Sequence, residues 1–227
     1  MKLFDIIILD MKPNLSEEKK LWKKGYKRVA CIDEVGRGAL CGPVVAVAVT
    51  IIKKSPFQKL WKSDLHNIKD SKKLTPKKRE EFYKLLRNHP AIEWGLGSVS
   101  EKVIDKINIL EATKLAMERA IENLEKKYSH ADHLVLDGKI KLDLPLPQKS
   151  IVKADEKVFS VALASIIAKV TRDRLMRRYA QKYPRYNFDK HKGYGTKYHL
   201  KMLKKFGPCV IHRKSFRPIK KLRGIAN

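Results

Sequence analysis

The sequence predicts an α/β protein: a mixed central sheet flanked by helices, with a helical C-terminal part. Three observations lead there. Two β-branched runs, residues 28–34 and "PVVAVAVTII" at 43–52, stand on either side of a glycine-rich segment, as adjacent strands joined by a functional loop do. Strand-like and helix-like segments then alternate along the chain. A late segment, "KVFSVALASIIAKVTRDRLMRRYAQKY", is apolar nearly all round in its front half, which marks a helix packed into a core, while its basic back half is expected to reach solvent or a ligand.

Taken in order, residues 1–27 read as an N-terminal extension with a short helix. Residues 28–180 read as the core domain and 181–227 as a basic helical and tail region packed on it. Within the core, "LTPKKREEFYKLLRNH" predicts a helix with Thr75 as N-cap and Pro76 at its first position, its apolar face formed by Phe82, Leu85 and Leu86. "AIEWGLGSVS" alternates as a third strand. "NILEATKLAMERAIENLEKK" places Ile109, Ala112, Leu115, Ala116 and Ala120 on one helical face. "ADHLVLDG" is a strand ending in an acid and a glycine. Residues 138–147, with Pro145 and Pro147, form a connection, and "KSIVKADEK" runs from a strand towards the long helix. A last helix is expected near 196–206, followed by an irregular basic tail.

Composition narrows the partners. The chain has 227 residues, a formal net charge of +27 and a pI near 10.0, and its basic excess is uneven. From Lys169 to the end, nineteen Lys or Arg stand against Asp173 and Asp189 alone. Such segregation points to a phosphate backbone, and nucleic acid is the expected partner. Cys31, Cys41 and Cys209 are odd in number and lack CxxC spacing, so neither a disulfide framework nor a zinc cluster is expected. "MKLFDIIILDMKPN" is broken by Asp5 and Asp10, too short and too acidic for a signal peptide or membrane span. A cytoplasmic monomer that binds no membrane is the expectation.

Acids recur where strands end: Asp33 and Glu34 after "VACI", Asp137 after "HLVL", and Asp155 where "SIVKA" meets the long helix. Four carboxylates converging on one edge repel one another unless a cation neutralises them, and all-oxygen ligation suits a hard ion, Mg²⁺ or Mn²⁺. Neighbouring residues of a regular strand point to opposite faces, so convergence of Asp33 with Glu34 implies a distorted backbone, helped by Gly36 and Gly38. Two divalent ions held there can activate water and stabilise a leaving oxygen in phosphodiester hydrolysis with no side-chain nucleophile. No HExxH pattern occurs, and His199 and His212 read as surface or hydrogen-bonding residues. The competing class is a non-enzymatic basic nucleic-acid-binding protein, which has no reason to collect acids at strand ends.

"IDEVGRGALCGPVV", "DSKKL" (70–74), "ILEATKLAM" (109–117), "LVLDG", "IVKADEKVFSVALASIIAKVTRD" and "HKGYGTKYH" resemble, in this order, the motifs of ribonuclease HII over roughly residues 17–217. The resemblance implies a ribonuclease H-like fold and cleavage of RNA in RNA–DNA hybrids. It also implies nicking 5′ of single ribonucleotides in duplex DNA, with 3′-hydroxyl and 5′-phosphate ends. By motif position it assigns Asp33, Glu34, Asp137 and Asp155 to metal binding, Gly36, Arg37 and Gly38 to reading the 2′-hydroxyl, and Tyr194 to sensing the junction. Ser71, Lys72 and Lys73 are expected phosphate contacts, as are Lys169 and Arg172. The chain departs from the usual pattern at Ala39, Ala154 and Phe159. Ala154 stands where glycine is common, and the expectation is a backbone conformation that alanine resists. The short stretch before the first strand favours HII over ribonuclease HIII, which usually carries an added N-terminal domain.

Overall fold

The computed structural model describes residues 13–52 and 74–224. Ser71, Lys72 and Lys73 lie outside the described residues. Among the described residues five strands form one sheet: β1 (Val29–Val35), β2 (Val44–Ile51), β3 (Ile92–Val99), β4 (His133–Asp137) and β5 (Gln148–Ile151), in the order β3-β2-β1-β4-β5. The first three are antiparallel neighbours, while β1, β4 and β5 run parallel. Every residue of β2 is buried, as expected of a central strand covered on both faces.

The helices are α1 (Ser16–Lys23), α2 (Pro76–Arg87), α3 (Glu101–Lys127), α4 (Phe159–Lys182), α5 (Phe188–His191), α6 (Lys197–Phe206) and α7 (Arg217–Gly224). One sheet face carries Ala30, Ile32, Ala46 and Ala48 against Ala112, Ala116 and Ala120 of α3. The other carries Val47, Val49 and Ile51 against Phe82 and Leu86 of α2 and the apolar front of α4. Helix α3 lies close to β3 because Gly95 and Gly97 have no side chain. A Cβ on either would run into the α3 backbone at Ala116, Ala120 or Leu124.

Several expectations shift. On α2 the Thr75 hydroxyl accepts from Lys78 N–H at 3.2 Å, as an N-cap should, but Tyr83 is buried and Leu85 is 44% exposed. Helix α3 begins after Ser100, earlier than its apolar pattern, and changes direction at Asn108 (φ 65°). The Asn108 side chain caps the second stretch, its Oδ1 accepting from Leu110 N–H at 2.8 Å. The tail packs on the core as expected but is not irregular throughout. It ends in α7, and His212, Arg213 and Ile219 are at most 1% exposed. Gly42 N–H donates to the Ile211 carbonyl at 2.8 Å and Arg213 N–H to the Leu40 carbonyl at 2.9 Å, tying the tail to the loop after β1. Ala154 carries no strain: the left-handed residue is Lys153 (φ 56°), and the Ala154 methyl sits in a core with Leu21, Val29 and Val135.

Candidate active site

Parallel pairing of β1 with β4 sets Ile32 beside Leu136, so the next residues, Asp33 and Asp137, come side by side towards the carboxyl ends of their strands, each still paired on its other edge, Asp33 with Val47 and Asp137 with Ile151. Asp33, Glu34 and Asp137 each offer a carboxylate oxygen within 4.8 Å of the others. The backbone does this without the expected distortion. Asp33 pairs with Val47, Glu34 with Ala46 and Val35 with Val45 in unbroken register. Glu34 N–H donates to Asp33 Oδ1 at 2.7 Å, and irregular geometry begins only at Gly36 (φ 94°). The two adjacent acids therefore converge through their side chains, with the longer Glu34 reaching round the strand end.

Asp155 stays outside this mutual distance. It is 1% exposed in a one-turn 3₁₀ helix, Ala154–Glu156, whose Ala154 N–H donates to Asp137 Oδ1 at 2.6 Å. Its charge still reaches Asp33. Burial, then the charges of Glu34 and Asp137, and more weakly that of Asp155, push the Asp33 carboxyl well above the usual carboxylate range; a Ser165 hydrogen bond opposes them. Burial also raises Glu34, against the pull of Arg37, whose guanidinium lies 3.2 Å from Glu34 Oε1. Glu34 Oε2 is buried with no hydrogen-bond partner among the described residues. An all-oxygen cluster with a spare buried oxygen, its acids held against ionisation, fits a hard divalent cation.

A cavity of about 330 Å³ opens over these acids, lined also by Val35, Ser165, Lys169 and Tyr194. Lys169 Nζ pairs with Asp173 Oδ1 at 2.8 Å and also lines an adjoining, predominantly basic cleft with Lys77, Arg79, Arg177, Lys190 and Lys192 beside Glu80, Asp173 and Asp189. Tyr194 is 36% exposed, and its ring stands beside Gly38, 4.0 Å from where a Cβ would be. Gly36 must be glycine on two counts: its φ is positive, and a Cβ there would strike the Arg172 guanidinium. Gly38 has no positive φ.

Arg172 is misplaced by sequence reasoning. It is fully buried, and its guanidinium donates to the carbonyls of Pro43 (3.0 Å), Cys41 (3.1 Å) and Lys192 (2.9 Å). With its donors turned onto the protein's own carbonyls it ties two loops together and does not face phosphate. Sequence reasoning also missed Arg213, while His199 and His212, read as surface or hydrogen-bonding residues, are a buried hydrogen-bonded pair. The Nε2 atoms of that pair are 3.1 Å apart, and His199 Nδ1 lies 3.0 Å from the Tyr194 carbonyl. Cys41 Sγ lies within 4.8 Å of both rings. Cys209 N–H donates to His212 Nδ1 at 2.9 Å, so one proton per ring satisfies the chain: His212 Nε2–H donates to His199 Nε2, and His199 Nδ1–H to Tyr194. The signal available in the sequence was the second histidine–basic cluster, "IHRKSF", inside an otherwise polar tail.

A family model described as Ribonuclease HII matches residues 30–219. The chain is 51% identical over 213 residues to Ribonuclease HII of Chlamydia trachomatis serovar A, covering 91% of this chain and 92% of that one. Among solved structures, ribonuclease H2 from Pyrococcus horikoshii OT3 superposes with a TM-score of 0.68 at 27% identity, over 87% of this chain and 98% of that one. RNase HII from Archaeoglobus fulgidus, solved in complex with PCNA, gives a TM-score of 0.65 at 26% identity, over 84% and 95% of the two chains.

Proposed function

The chain belongs to the ribonuclease HII family and is a ribonuclease H, and we propose that it cleaves RNA in RNA–DNA hybrids and nicks duplex DNA on the 5′ side of single embedded ribonucleotides. The products carry 3′-hydroxyl and 5′-phosphate ends. The observation that carries this reading is one pocket lined by Asp33, Glu34, Asp137, Lys169 and Tyr194.

In this reading Asp33, Glu34 and Asp137 hold Mg²⁺ or Mn²⁺, with Asp155 completing the acidic edge behind them. Divalent ions bound there supply the charge that activates water and stabilises the departing oxygen. Lys169 and the adjoining lysine cleft hold backbone phosphates, which fixes the duplex without reading its sequence. Ser71, Lys72 and Lys73 add phosphate contacts. Discrimination of RNA from DNA needs a group that senses the 2′-hydroxyl, which both donates and accepts. Backbone groups of Gly36, Arg37 and Gly38 at the pocket rim do this, and the Tyr194 ring packs on the neighbouring deoxyribose. The three thiols are unpaired, which supports a reducing compartment such as the cytoplasm. Among the described residues no helix is long and apolar enough to cross a membrane.

The direct test is incubation with Mg²⁺ and a duplex carrying one ribonucleotide. A single nick 5′ of that ribonucleotide is expected, with no cut in an all-DNA control. An intact ribonucleotide duplex, or equal cutting of both, refutes the reading.

A further inference from the structure

The turn after Glu34 has its carbonyls facing inward. Gly36 to Ala39 form a β-turn closed by Ala39 N–H on the Gly36 carbonyl at 3.3 Å. Beneath it lies the Arg213 guanidinium, fully buried, donating to the carbonyls of Gly36 (2.7 Å), Arg37 (2.8 Å) and Gly42 (3.0 Å). Its main-chain N–H holds the Leu40 carbonyl at 2.9 Å, so backbone and side chain grip the same loop. No cis peptide occurs here, and in a trans peptide the C=O and N–H point opposite ways. Holding the Gly36 and Arg37 carbonyls inward therefore turns the N–H groups of Arg37 and Gly38 outward. Both residues are exposed, and among the described residues neither N–H donates to a protein acceptor. The two donors follow within four residues of Glu34, and Gly38 stands beside the ring of Tyr194, which lines the pocket.

We propose that Arg213 is a positioning residue for substrate recognition: by holding two carbonyls of the turn, it aims the N–H groups of Arg37 and Gly38 at the sugar beside the scissile phosphate. The proposal rests on the reading above, in which this turn senses the 2′-hydroxyl. Arg213 itself touches no substrate. Lysine cannot replace it, because three carbonyls at fixed angles match the planar fork of a guanidinium and not a single ammonium. Arg172 grips the far side of the same loop through Cys41 and Pro43.

The test compares wild type, Arg213→Lys, and Ile104→Val as a core variant on α3 that makes no hydrogen bond to the loop. For the one-ribonucleotide duplex, kcat/KM of Arg213→Lys is expected to fall roughly tenfold to a hundredfold, the equivalent of two misaimed hydrogen bonds. Ile104→Val, at a comparable loss of melting temperature, should keep its rate. Amide resonances of Arg37 and Gly38 are then followed in EDTA, so that no strand is cut. In wild type they should shift with the one-ribonucleotide duplex more than with the all-DNA duplex, and in Arg213→Lys that difference should vanish. An Arg213→Lys enzyme with wild-type rate and wild-type amide shifts overturns the positioning role. Equal loss of rate in Ile104→Val reduces the effect to stability and overturns it too. If wild-type amides respond identically to both duplexes, the turn does not sense the 2′-hydroxyl, and the underlying reading falls with the proposal.

Discussion

Acidification should loosen the protein around Tyr194 through His199 and His212, which are 0% and 1% exposed. Burial is the main cause that holds each imidazole down to about 4 from an ordinary 6.5. Each ring has one proton and its nitrogens are engaged by Cys209, by the other ring and by the Tyr194 carbonyl, so a second proton meets an N–H already in place. The sign follows from linkage. A folded pKa below the unfolded one means that the unfolded chain binds the proton first, so stability is complete above pH 6.5 and is lost as pH falls towards 4. A shift of that size is worth roughly 3 kcal/mol for each histidine, a large part of the roughly 5–15 kcal/mol of a typical domain. Asp33, Glu34 and Glu18 have the opposite sign, because burial raises them, so their contribution is present at low pH and declines as pH rises. The wild-type curve alone therefore does not isolate the histidines; the difference from a variant does. His212→Asn keeps an oxygen to accept from Cys209 N–H but cannot titrate. Urea unfolding at pH 7, 6, 5 and 4 should show a fixed offset from the lost hydrogen bond to His199. On top of it, the wild-type advantage should shrink by about 3 kcal/mol between pH 7 and 4. Parallel curves for the two proteins across that range would refute the argument.

Asp33→Asn or Asp137→Asn should abolish hydrolysis while duplex binding stays intact or tightens, because removing a carboxylate also removes repulsion of phosphate; wild-type turnover at saturating Mg²⁺ would sink the metal assignment. Tyr194→Ala should lose most cleavage of a single embedded ribonucleotide and less of a continuous RNA–DNA hybrid, measured as initial rates with Mg²⁺ and again with Mn²⁺. Equal slowing of both substrates would make the tyrosine structural. Lys169→Gln and Lys192→Gln should each flatten the dependence of log affinity on log salt by about 0.9 per lost phosphate contact. Arg172→Gln should leave that slope unchanged and instead lower the melting temperature, since it leaves three buried carbonyls without their donor.

The contrast between those lysines and Arg172 shows what was legible in the chain and why the rest was not. Strands β1 and β2 were readable because their burial on both faces demands continuous β-branched runs, and the acids were readable because a charge directly after such a run has only the strand end to occupy. The convergence of three of them depended on parallel pairing of β1 with β4, which residue order permits but does not state. Basic residues carry no local mark of which way they face. Lys169, Arg172 and Arg213 belong to the same positive stretch, yet the partners of the two arginines lie 20 to 177 positions away in sequence, as carbonyls of loops that periodicity cannot describe. Residue type would have separated them. A guanidinium carries five donors in a rigid plane, more than one phosphate needs and well matched to several carbonyls, and is more weakly hydrated than an ammonium, so it is the cation that a folded interior can hold. Lys169, half-buried, lines both the pocket and the cleft, and Lys192, also half-buried, lines the cleft. A basic excess thus announces a phosphate partner, but it does not say which cations face it: Lys169 lines the pocket, while Arg172 and Arg213 turn inward to the loops beside it.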